Sequence, residues 1–124
     1  VIFSQFTSFL NIIEKALKDT SRTYRRIDGT MTRPHRSQAV DSFQNDPSVG
    51  VFLISIKSGG TGLNLVAASH VMITDLWWNS AVEEQAVDRV HRFGQTRPVS
   101  VLRFVTKDTV EERIVELQTK KKTV

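Results

Sequence analysis

Cysteine is absent from this sequence, which excludes a disulfide scaffold and thiolate-held zinc or iron–sulfur centres together. The same absence fits a reducing compartment. Long apolar runs are also missing. Val51-Phe52-Leu53-Ile54, among the longest, is far short of the roughly 20 residues that a membrane helix needs. No basic region or cleavage signal precedes Val1-Ile2-Phe3, so the chain reads as starting at the edge of a strand inside a longer protein. Repeats, low-complexity tracts and linkers are lacking, and residues 1–124 are expected to form one domain. His35, His70 and His91 are scattered without metal-ligand spacing, and no nucleophile elbow is present. Neither sign of charge dominates. With 17 basic and 13 acidic residues the net charge is +4, which permits a polyanionic partner without requiring one.

The 40% of residues that are hydrophobic are enough for a real core. Val1-Ile2-Phe3, Val51 to Ile54 and Val71-Met72-Ile73 are apolar without alternation, as strands covered on both faces are. Phe6, Leu10, Ile13 and Leu17 recur at helical spacing and predict a helix from about Phe6 to Lys18. Thr23 to Ile27 reads as a strand closed by the Asp28-Gly29 turn. A helix capped by Thr32, carrying Val40 and Phe43, should stop near Pro47. Ser80 and Glu83 fit a capping box that opens a helix to about Phe93. Val99 to Val105 is expected as a fifth strand, followed by a helix from Thr109 to about Lys120 capped by Asp108. This alternation predicts an α/β fold, a doubly wound and mostly parallel sheet of about five strands with helices on both faces. Ligands of such sheets gather beyond the strands' carboxyl ends, here the loops after Phe3, Ile27, Ile54 and Ile73.

Three constellations carry chemistry. Ser55 to Asn64 follows a buried strand and contains Gly59, Gly60 and Gly62, which let backbone approach a ligand closely. Such a turn either connects strand to helix or aims N–H groups at a phosphate, with Lys57 adding charge. It is not a Walker A loop, because Leu63 and Asn64 stand where Lys and Ser/Thr are required. The phosphate is either a nucleotide's or a DNA backbone's. In Gln85 to Gln95, helical spacing puts Gln85, Arg89 and Arg92 on one face, and Val82, Ala86, Val90 and Phe93 on the other. Two neighbouring guanidiniums either flank an anion, such as a transferring phosphoryl group, or are neutralised in solvent by Glu84 and Asp88. Asp75-Leu-Trp77-Trp78-Asn79 supplies paired tryptophans, better suited to packing or an interface than to base stacking.

Taken together the motifs resemble a known family. Val1 to Thr7 resembles helicase motif IV, and Arg26 to Met31 resembles the motif after it. Ser55 to Asn64 resembles motif V, Gln85 to Gln95 resembles motif VI, and Asp-x-Trp-Trp-Asn marks the SWI/SNF-type branch of superfamily two. Ser80 stands where that branch usually has proline. The tail from Val101 to Ile114 is similar to the DNA-repair group that includes helicase-like transcription factor.

The resemblance implies the second RecA-like lobe of a nuclear, duplex-DNA-translocating ATPase that works on chromatin or repair intermediates. By position it implies arginine fingers at Arg89 and Arg92, and nucleotide coupling through Gln85 and Gly62. DNA phosphates would be held by Gly29, Thr30, Ser55, Lys57 and Gly59. ATP with Mg²⁺ would be bound mainly by a first lobe, since this chain has neither a Gly-Lys-Ser/Thr loop nor an Asp-Glu pair. Double-stranded DNA, that first lobe and chromatin or repair proteins are the implied partners, with no membrane. The chain by itself is expected not to turn over ATP. An RNA-helicase second lobe would usually end motif VI in Gly-Arg-x-Gly-Arg, where Asp88-Arg89 and Gly94-Gln95 stand here. A binding module without motor function is the third reading.

Overall fold

A computed structural model describes residues 1–55, 63–75, 80–104, 113–116, 118 and 119. In chain order the elements are β1 (Ile2–Ser4), α1 (Thr7–Asp19), β2 (Tyr24–Ile27) and α2 (Arg33–Asn45). They continue with β3 (Val51–Ser55), β4 (His70–Ile73), α3 (Ser80–Asp88) and β5 (Ser100–Arg103). Residues 113–116, 118 and 119 are helical. The strands form one sheet in the order β2-β3-β1-β4-β5, and every pairing is parallel. The expected α/β fold is therefore found, with β1, the first strand in sequence, at the centre.

Burial explains why the apolar runs became the inner strands. Phe52, Leu53 and Ile54 are all fully buried although neighbours along a strand point to opposite faces, so β3 is covered on both. Ile27, Ile54, Phe3 and Ile73 are register partners across four strands and form one row of the core. That row packs with Ala39 and Phe43 of α2 and with Ala86 and Val90. Phe43 meets Phe52 edge to face, with ring centroids 5.1 Å apart. Leu10 and Leu53 are buried outside this cluster, and α1 packs on β3 and β1 from the other side of the sheet.

Several local expectations shift. Phe6 caps α1 rather than joining its stripe, and is 54% exposed. Thr32 occupies the cap position of α2 in extended backbone, but its side chain makes no capping bond. Glu83 is buried and bonded to β5, not only placed for a capping box. Residues 63–69, between β3 and β4, form turns and no helix. The largest change is that α3 stops at Asp88, not near Phe93. Lys57, Gly59, Gly62, Trp77, Trp78, Asp108 and Lys120 lie outside the described residues, together with the expectations placed on them.

Candidate functional site

At the carboxyl end of β2, Asp28 to Met31 forms a turn closed by the Met31 N–H on the Asp28 carbonyl at 3.3 Å. Gly29 and Thr30 are exposed at its tip, where a phosphate can reach them. Asp28 organises this turn from below. Its Oδ1 accepts the Thr30 N–H at 2.9 Å and the Thr30 hydroxyl at 2.5 Å. Its Oδ2 accepts Arg26 Nε at 3.0 Å, and Arg26 reaches on to Glu14 of α1 at 2.8 Å. Both donors of Thr30 are thus directed at Asp28, leaving the hydroxyl oxygen and Gly29 on the outer side. Arg36, in the first turn of α2, donates to the Asp28 carbonyl at 3.4 Å, while its Nε is buried without a partner among the described residues.

The Thr30 hydroxyl first, then the Thr30 N–H and the Arg26 guanidinium, hold the Asp28 carboxyl below the usual carboxylate range against the opposing effect of burial. A folded-state pKa below the unfolded value, near 3.9, adds stability that is present above about pH 4. That contribution is lost as pH falls through the folded value. Asp28→Asn is therefore expected to be less stable at neutral pH and to lose less stability on acidification. Urea midpoints at several values between about pH 7 and pH 2 check this. Parallel acid profiles for the two proteins would assign the effect to other carboxylates.

At the carboxyl ends of β1 and β4, Asp75 joins two loops. It accepts the Gln5 N–H at 2.8 Å, the Thr74 hydroxyl at 3.1 Å and the Ser4 hydroxyl. The sequence offered Asp75 only as the start of Asp-x-Trp-Trp-Asn. Two of its partners, Ser4 and Gln5, are some 70 residues away in the chain, so spacing held no signal for this role. Ser55, the register partner of Ser4 at the end of β3, is 3% exposed. Its side chain lies inside the protein rather than on the rim.

Motif VI is built differently from a continuous helix. After Asp88 the Arg89 carbonyl accepts the Leu65 N–H at 2.8 Å, so it is taken by the segment leading to β4. Gly94 then adopts a φ of +98°, a conformation costly for residues with a Cβ. Gln95 secures the turn. Its Nε2 donates to the carbonyls of Ala68 at 2.8 Å and Val90 at 3.0 Å, and its Oε1 accepts the Arg97 N–H at 3.1 Å. Phe93, expected to pack on the sheet, is instead fully exposed, because it sits on this turn and not on a helix face.

Arg89 is half-buried, and Arg92 is exposed with its Nη1 donating to the Leu63 carbonyl at 2.8 Å. Among the described residues neither arginine forms an ion pair, so Glu84 and Asp88 do not neutralise them as a solvated face would require. Gln85 is exposed on α3. Its shared face with both arginines ends at Asp88, and a tertiary clip, not helical spacing, sets where Arg92 lies.

The candidates therefore fall into two groups. Gly29, Thr30 and Ser55 end the adjacent strands β2 and β3. Arg89 and Arg92 are not on that rim, contrary to the expectation that the unusual residues gather there. α3 carries the chain roughly 13 Å back along the sheet, until Gln95 meets Ala68 just before β4 begins.

This parallel α/β lobe, with an exposed Gly29–Thr30 turn at one end and a clipped arginine turn at the other, has the form of a RecA-like lobe. Residues 1–94 match the helicase conserved C-terminal domain, and the chain belongs to that family, in its SWI/SNF-type branch. It is 54% identical over 121 residues to DNA repair protein rad8 of Schizosaccharomyces pombe, covering 98% of this chain and 11% of that protein. It is 52% identical to helicase-like transcription factor CHR28 of Arabidopsis thaliana, covering 98% of this chain and 12% of that protein. DNA repair protein RAD5 of Mycosarcoma maydis is 51% identical, with 98% of this chain and 9% of that protein covered. Among solved structures, the C-terminal part of the Fun30 ATPase domain superposes with a TM-score of 0.90 at 40% identity, over 94% of this chain and 38% of that one. The chain thus spans about a tenth of the length of these curated relatives.

Proposed function

We propose that this chain is the second motor lobe of a DNA-dependent ATPase that translocates on duplex DNA during repair or chromatin remodelling, in the nucleus. The observation that carries the reading is the arginine turn. The Arg92 guanidinium is held on the Leu63 carbonyl, the Arg89 backbone carbonyl is held by the Leu65 N–H, and neither side chain has a carboxylate partner among the described residues. Two unneutralised guanidiniums, that of Arg92 held by a hydrogen bond, suit the charge that develops on a transferring phosphoryl group. ATP is the substrate, held with Mg²⁺ chiefly by a first lobe. Among the described residues no cluster of His, Cys, Asp or Glu is suited to a metal ion.

In this reading Arg89 and Arg92 act on the γ-phosphoryl group, and Gln85 with Gly62 links nucleotide state to lobe closure. Gly29, Thr30, Lys57, Gly59 and the Ser55 backbone hold phosphates of one DNA strand. The buried Ser55 side chain favours a backbone contact there. With both Thr30 donors committed to Asp28, the Gly29–Thr30 turn offers shape and backbone more than a hydroxyl donor.

Phosphate release by the full-length protein, with and without duplexes of unrelated sequence, tests the proposal. Turnover should rise with any duplex and fall steeply as salt is raised, because phosphate contacts dominate such binding. Turnover that ignores DNA, or follows one sequence regardless of salt, would overturn it.

A further inference from the structure

On the core side of the sheet, Glu83 of α3 is buried at 5% exposure and Gln118 at 3%. Arg103 of the edge strand β5 lies between them. Its Nε donates to Glu83 Oε1 at 2.8 Å, and a second guanidinium nitrogen donates to Gln118 Oε1. Gln118 Nε2 in turn donates to Glu83 Oε2, which closes a ring of three hydrogen bonds. Ile114, one helical turn before Gln118, is buried in the core beside Ala86 and Val90. Three segments far apart in sequence meet at this ring: α3, β5 and the helical residues 118 and 119.

Burying a carboxylate is costly unless it is paired and hydrogen-bonded, so the ring is not a passive filler. The other buried or half-buried apolar residues described on α3 are Val82, Ala86 and Val87. Apolar contacts are non-directional and tolerate sliding and rotation. A closed ring of directed hydrogen bonds admits one arrangement. Glu83 lies five residues before Asp88, where α3 ends, about 7.5 Å along the helix, so the rotation and height of α3 at the ring are carried to Arg89, the next residue.

We infer that the Glu83–Arg103–Gln118 ring is a positioning latch, which sets α3 so that Arg89, just beyond its end, projects correctly and makes that placement depend on the helical residues around Gln118. The inference rests on the motor reading. Misplacing a reacting group by about an ångström can cost on the order of a hundredfold in rate.

The test uses the full-length protein with saturating duplex DNA. Arg103→Met strands the Glu83 charge and can simply unfold the lobe. The informative variants are therefore the pair Glu83→Leu with Arg103→Met, which replaces the charges by apolar groups, and Gln118→Leu, which opens the ring but keeps the ion pair. The pair variant is expected to melt near the wild-type temperature, with kcat lower by roughly ten- to a hundredfold and with KM for ATP and DNA affinity little changed. Gln118→Leu should show a smaller loss of kcat with the same pattern.

A kcat within about twofold of wild type in the folded pair variant would overturn the latch. So would a loss of turnover that only tracks the loss of folded protein in both variants. Arg92→Ala, measured alongside, separates the two ideas. If it retains turnover, the arginine-finger assignment fails; if it alone is inactive, only the latch does.

Discussion

Arg92→Ala in the full-length protein is expected to lower DNA-stimulated ATP turnover by about 10³- to 10⁵-fold, with folding and DNA binding nearly intact. Arg92 is exposed, and the one hydrogen bond of its side chain among the described residues runs to the Leu63 carbonyl. Deleting an exposed side chain of that kind costs within roughly 1 kcal/mol of stability. A guanidinium placed on a transferring phosphoryl group is worth roughly 4 to 7 kcal/mol in the transition state. The structural and catalytic readings thus differ by orders of magnitude in one measured rate. Arg89→Ala should lose comparable turnover, with a larger effect on stability because its side chain is half-buried. Lys121→Ala, in the terminal lysine run, serves as the control and should keep its turnover. Turnover above about a tenth of wild type in the Arg92 variant would show that Arg92 is not an arginine finger.

The largest stability effect is expected at Phe52. Its side chain is fully buried on β3, the strand between β2 and β1, and its ring meets Phe43 of α2 edge to face. Phe52→Ala removes that contact and leaves a cavity that the parallel sheet cannot close without breaking register. Such truncations cost about 3 to 5 kcal/mol, which lowers the melting temperature of a domain this size by roughly 10 to 20 °C. Differential scanning calorimetry of wild-type and variant lobes measures the shift. A change of less than about 4 °C would mean that α2 collapses onto the gap and that the Phe43–Phe52 contact matters little. Phe6→Ala makes the contrast, since Phe6 is more than half exposed and should change little.

The readable parts of the fold had short-range causes. Unbroken apolar runs marked β1, β3 and β4 because a strand covered on both faces has no polar side to alternate with. Proline and asparagine near residue 47 ended α2 where expected, at Asn45. Family resemblance pointed to Gly29 and Thr30, and helical spacing together with that resemblance pointed to Arg89 and Arg92. Asp75 and Gln95 were legible only as motif letters. Their hydrogen-bond partners, Ser4 and Gln5 in one case and Ala68 in the other, come together only when the sheet assembles.

The extent of α3 was misjudged for the same reason. From Ser80 to Phe93 helical spacing is good, and nothing nearby forbids a helix before Gly94. What ends it at Asp88 is a competitor for its backbone: the Leu65 N–H takes the Arg89 carbonyl, and the Gln95 amide takes that of Val90.

From its own residues the chain determined its class, the parallel alternation of its elements, the family-bearing motifs and the identity of the candidate arginines, because periodicity, glycine, proline and motif spacing act locally. Tertiary structure decided the strand order with β1 at the centre, the separation of the β2–β3 rim from the arginine turn, and the meeting of Glu83, Arg103 and Gln118. Each of these depends on hydrogen bonds between residues distant in sequence. Such bonds form only after the core has brought their segments into register, and a chain read one window at a time carries no record of them.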